Sequence, residues 1–168
     1  MQTRILHNRA LQKVFIIWAL SVSILGTALK PSYALFDKTR FAADLGVAYF
    51  CFHHFVYKPY REGAFSAGAP HRTKALIKGG AALLFAINRV KAADRIAHDS
   101  KSPTLQRIAG SLDRMIAVFG TVGQRFKNGQ FNPKDVDVLN SSVGDVDAGA
   151  KAANIQVKDV SVPIPGAE

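Results

Sequence analysis

The chain has 168 residues, 22 basic and 12 acidic side chains, a formal charge of +10, and one cysteine. Those numbers suit a single domain with a core of its own, and one cysteine excludes an intrachain disulfide framework. No motif declares a reaction, so the sequence speaks first about destination and architecture.

Residues 1–34 read as an export signal. Arg4, Arg9 and Lys13 form a basic start, Val14–Leu29 is an apolar run, and Ser32-Tyr33-Ala34 offers small residues at a peptidase site. The run of about 16 residues falls short of the roughly 20 that span a bilayer. Cleavage after Ala34 leaves no transmembrane span, and the product is predicted to be secreted or held at the cell envelope. Its charge is uneven: Leu35–Lys127 carries 15 basic and 6 acidic residues, Asn128–Glu168 carries 3 and 6. A basic body outside a cell suits an anionic lipid or cell-wall polymer better than nucleic acid.

Residues 35–153 are predicted to fold as an all-α bundle of about four antiparallel helices. Helix A runs from Asp37, as N-cap, to about Lys58, with Phe41, Leu45, Ala48, Phe52, Phe55 and Val56 on one face and Pro59 as its stop. Within it, YFCFHHFVYKPY (Tyr49–Tyr60) gathers Cys51, two histidines and six aromatics. Cys51, flanked by phenylalanines, is predicted to be buried, while His53, His54, Phe50 and Tyr57 fall on the opposite half. The glycine-rich stretch YREGAFSAGAP then leads to helix B, about His71–Ala97, whose Gly79-Gly80 pair permits a kink or a close neighbour. Helix C starts from Ser102 as cap with Pro103 first and ends at Asn128-Gly129. Helix D starts from Asn132 as cap with Pro133 first, and its thin apolar stripe and Gly144 and Gly149 make it the weakest helix. Residues 154–168 change period, and Ile155, Val157, Val160, Val162 and Ile164 suggest an extended tail that lies in a groove or meets a protein partner.

Chemistry is sparsely signalled. Adjacent histidines diverge by about 100° on a helix, and His71 and His98 would stand roughly 40 Å apart, so no metal site is predicted. No C-x-x-C-H occurs, which excludes covalent c-type haem. Non-covalent haem or an apolar ligand near His53, with Tyr49 and Tyr57 one turn away on either side, is the alternative to having no cofactor. Ala64-Phe65-Ser66-Ala67-Gly68 resembles a serine elbow but lacks the strand-turn-helix setting that motif needs, so no catalytic residue is assigned. Asp44 is predicted to pair with Arg40 one turn back.

The basic positions carry the remaining signal. Lys74, Lys78 and Arg89 project along one line of helix B with Phe85 between them, and Lys91 and Arg95 form a second pair one turn apart. Like charges at that spacing cost a few tenths of a kcal/mol, a cost that an anionic partner offsets. The reading is an exported, non-enzymatic binding protein that contacts anionic surfaces through this face.

Overall fold

Helix starts and stops follow the prolines, with one exception. The computed structural model describes residues 31–167, which form α1 (Pro31–Phe52), a π-helical segment (His53–Tyr57), a closing turn α2 (Lys58–Arg61), α3 (Arg72–Asp99), α4 (Pro103–Lys127) and α5 (Pro133–Ala152). Among the described residues the fold is all-helical, without strands. The first 30 residues of the predicted signal lie outside the described residues. Phe36–Glu168 forms one compact unit. None of the described helices is long and apolar enough to cross a membrane.

The first helix departs from expectation at both ends. Its described part runs from Pro31, so Asp37 lies inside the helix and does not cap it. Nor does Pro59 stop it. The Lys58 N–H reaches five residues back to the His53 carbonyl, and the chain continues helically to Arg61. Proline has no N–H and clashes with an α-register carbonyl; here it arrives where that register is already widened into a π turn. In the α register the Phe55 carbonyl would accept from residue 59. Instead it faces α3 at Gly79, where an added Cβ would stand 3.0 Å from that oxygen.

The glycine pair of α3 serves close approach, and α3 continues unbroken through it. At Gly80 an added Cβ would lie 2.7 Å from both the Gly123 carbonyl oxygen and the Lys127 nitrogen of α4. Backbones this near leave no room for a methyl group, and the helices bury Leu83, Ala86, Leu112, Met115 and Phe119 beside the crossing. The glycine-rich loop is anchored too. Phe65 is fully buried against Phe126 and Phe131, with ring centroids 5.5 and 5.2 Å away, and Arg72 Nε donates to its carbonyl.

Of the predicted caps, Asn132 works as expected. Its side chain accepts from the Lys134 N–H, and Asp135 accepts from the Asn132 N–H, a reciprocal capping box. Asp135 is buried and also pairs with Arg125 of α4, clamping the α4–α5 corner. Ser102 holds the N-cap position of α4 without a side-chain bond to the helix; Ser100 Oγ accepts from the Ser102 N–H instead.

Beyond α5, Asn154 takes a left-handed conformation (φ 56°) and turns the chain back across the bundle. Lys38 Nζ donates to the Ala153 carbonyl. The tail then crosses α1, where the Val160 N–H donates to the Gly46 carbonyl at 3.0 Å. Gly46 makes this crossing possible: an added Cβ would overlap the Lys158 carbonyl oxygen and come within 2.8 Å of Val160 Cγ2. Ile155, Ile164 and Ala167 are buried, and Gly166 ends beside Ala81 of α3. The extended tail is therefore docked. Leu45 through Tyr49 are buried consecutively because α1 has packing partners on both sides.

Candidate functional sites in two surface grooves

The predicted basic residues do not all gather at one groove. Arg89 and Arg95 of α3 line a groove of about 520 Å³ with Arg40 and Asp44 of α1, Phe85 and Asn88. Spacings of three and four residues put Phe85, Asn88, Arg89 and Ala92 on the α3 side facing α1, and Ala43 and Ala92 supply small side chains between the arginines. Arg89 is held from two directions. Its guanidinium lies 3.6 Å from Asp44 Oδ1 and its Cζ lies 5.7 Å from the Phe85 ring centroid, a cation–π contact. Asp44 therefore pairs across the helices with Arg89, correcting the expected pairing with Arg40. Arg40 and Arg95 are exposed at the groove walls.

The other predicted cations lie elsewhere. Lys91 borders a neighbouring depression with Asn88, Asp94 and Arg95. Lys74 and Lys78 keep the same line on α3, but 11 residues separate Lys78 from Arg89, roughly 16 Å along the helix. Sequence reasoning missed Arg40, because its only visible neighbour was Asp44 and nothing local disclosed that α1 faces the Arg89 side of α3.

Asp94 and His98 close the far end of α3. His98 Nδ1 lies 3.1 Å from both the main-chain carbonyl and Oδ1 of Asp94, the alignment suiting a hydrogen bond to the carbonyl. That carbonyl, and then the carboxylate, raise the His98 pKa above the ordinary histidine value. Asp94 is raised by burial, an effect its histidine partner opposes.

The second groove, about 360 Å³, surrounds His53. His53 Nδ1 lies 2.9 and 3.0 Å from the two carboxylate oxygens of Asp159 in the tail. Tyr49 and Tyr57 meet it edge to face at centroid distances of 6.1 and 6.5 Å. Tyr49 lines the groove but is buried. Its hydroxyl donates to the Val143 carbonyl at 3.4 Å, and burial, then Asp147 and Asp159, push its pKa up. Tyr57 packs on Phe52, outside the groove lining. The remaining wall is mixed, with polar Asn140, Asp147 and Lys151 beside Val143, Gly144 and Val157. His54 stacks on Phe50 with centroids 5.0 Å apart, on the exposed side.

Cys51 is fully buried, and burial pushes its thiol up to about 12 against the lowering pull of its own backbone and Arg89. A thiol so held is not a nucleophile near neutrality. Ser66 is exposed in the α2–α3 loop, away from any strand-turn-helix corner. Among the described residues no three His, Cys, Asp or Glu side chains are grouped to hold a metal ion. The chain matches no protein-family model, no curated protein and no solved structure.

Proposed function

We propose that the protein is an exported, non-enzymatic binding protein of the extracellular space or cell envelope, which engages anionic surfaces through the α1–α3 face. The observation that carries this reading is the grouping of Arg40, Arg89 and Arg95 around one groove. Three guanidiniums on one concave surface raise the local positive potential, and an anionic partner relieves their mutual repulsion. The charge-apolar-small order of residues 1–34 supports export. Asp44 meets Arg89 while Phe55 meets Gly79, opposite residue orders along α3 and along α1 with its π-helical continuation, which support an antiparallel bundle.

Co-sedimentation with vesicles containing phosphatidylglycerol or phosphatidic acid tests the reading. Binding should fall as salt is raised, because exposed charges are screened over about 10 Å at 0.1 M salt, and should weaken when Arg40, Arg89 and Arg95 are neutralised together. Salt-independent binding, or none, sinks it.

The carrier alternative near His53 is less well supported. A haem pocket needs predominantly apolar walls, whereas here Tyr49, Val143 and Val157 share the groove with the charged Asp147, Lys151 and Asp159, and Asp159 already engages His53 Nδ1. These residues do not fit haem. A visible absorbance band on haem addition that His53→Ala abolishes would revive it.

A further inference from the structure

The α1–α3 groove has more definition than a charged face needs. Asp44, which is largely shielded, and the Phe85 ring together hold Arg89, so one guanidinium is oriented before any ligand arrives. Arg40 and Arg95 stand on the same groove, one from each helix, and among the described residues neither side chain makes an ion pair or hydrogen bond. Asn88 adds an amide that can both donate and accept. Set against Asp44, the three arginines leave the groove with two net positive charges. We propose that it is a discrete binding site for a phosphomonoester dianion. This rests on the anionic-surface reading above and names the ligand group that the surface recognises.

The chemistry matches on three counts. A phosphomonoester carries about −1.5 to −2 charges at pH 7, its second pKa being about 6, and offers three strong acceptor oxygens. A phosphodiester carries one charge and leaves the groove under-neutralised. Guanidinium forks suit phosphate oxygens in a bidentate manner, and arginines approaching from both helices can address different oxygens. The groove of about 520 Å³ is roomier than the phosphate itself requires, and Ala43 and Ala92 leave space for whatever the phosphate is esterified to. A monocarboxylate carries one charge and, like a phosphodiester, leaves the groove under-neutralised.

The same phosphate chemistry exists on a lipid headgroup and on a free solute, and one experiment separates them. Amide and arginine side-chain NMR spectra of the purified protein are followed while methyl phosphate, dimethyl phosphate or inorganic phosphate is added. In parallel, binding is measured to phosphatidylcholine vesicles carrying phosphatidic acid or phosphatidylglycerol at matched total charge. Methyl phosphate and inorganic phosphate should shift Asn88, Arg89 and Arg95 signals saturably above the second phosphate pKa. Dimethyl phosphate should bind at least tenfold more weakly. The surface-exposed double variant Arg40→Gln/Arg95→Gln should lose the saturable shift while its circular dichroism is unchanged.

A preference for phosphatidic acid vesicles assigns the site to a lipid headgroup; a response to the free monoesters without vesicle preference assigns it to a solute. Equal response to mono- and diester, or a saturable shift that survives in the double variant, overturns the site. In that case salt-sensitive vesicle binding would leave the surface reading standing alone. Conversely, saturable monoester binding without any vesicle binding would remove the surface reading and keep the site.

Discussion

His53 and Asp159 lie 106 positions apart in the chain, yet the imidazole Nδ1 sits 2.9–3.0 Å from both oxygens of the carboxylate. The contact joins the π-helical segment to the docked tail, beside the Val160–Gly46 backbone bond. A carboxylate on Nδ1 fixes the ring's orientation, and the half-exposed pair contributes no more than about 1 kcal/mol. Asp159→Asn should therefore speed hydrogen exchange at the Val160 amide while lowering global stability only slightly. An unchanged exchange rate would mean that the apolar anchors Ile155 and Ile164 hold the tail without help from this pair.

The two close-approach glycines should respond differently to a methyl group. Gly80→Ala pushes α3 off the α4 backbone and should cost about 1–3 kcal/mol of global stability. Gly46→Ala collides with the Lys158 carbonyl and should free the tail. Limited proteolysis after residue 154 in the Gly46 variant, against a lowered unfolding midpoint in the Gly80 variant, checks both. If Gly46→Ala leaves the tail protected, the tail does not cross α1 here.

Other helical glycines have open space around them. Nothing lies within 4 Å of an added Cβ at Gly110 or Gly144. Alanine there reduces the backbone entropy lost on folding, and each substitution should stabilise by roughly 0.5–1 kcal/mol. Urea unfolding of Gly144→Ala also tests whether its glycines weaken α5. A destabilised variant would contradict the open packing at that position.

Cys51 should resist thiol reagents in the native protein and react fully only once urea unfolds the chain. Its thiol, pushed up to about 12 by burial, supplies almost no thiolate at neutral pH. Rapid labelling in buffer would show that α1 opens readily around Cys51.

His98 should titrate above the ordinary histidine value in side-chain NMR. Asp94→Asn should bring it down only in part, because the larger contribution is the main-chain carbonyl of residue 94. The sign follows from linkage. A histidine raised in the folded state stabilises fully below its unfolded pKa of about 6.5, and that contribution disappears as pH rises through the folded value. A normal His98 titration would remove the contact.

Much of the architecture was readable because it rests on local chemistry. Ser102-Pro103 and Asn132-Pro133 mark helix starts, since proline at the first position sacrifices no intrahelical bond. Asn128-Gly129 marks a stop, with Gly129 at a φ of 72°. The recurrence of Leu105, Ile108, Ala109, Leu112, Met115, Ile116, Phe119, Val122 and Phe126 describes one face, buried except at the partly exposed Ile116. Pro59 misled for the same local reason: a proline rule assumes an α register, and the π turn removes that premise.

What the amino-acid sequence determined by itself was therefore helical content, most helix boundaries, the burial of Cys51 and an excess of positive charge. Only the tertiary structure decided which charges meet. Arg40 and Arg89 lie 49 positions apart on different helices, and His53 and Asp159 are still more distant. Helix periodicity assigns each side chain an angle about its own axis, but carries no record of the neighbouring axis. Gly46, Gly79 and Gly80 set those neighbours by admitting a backbone or the tail at close range, and the groove of arginines and the docked tail follow from that packing.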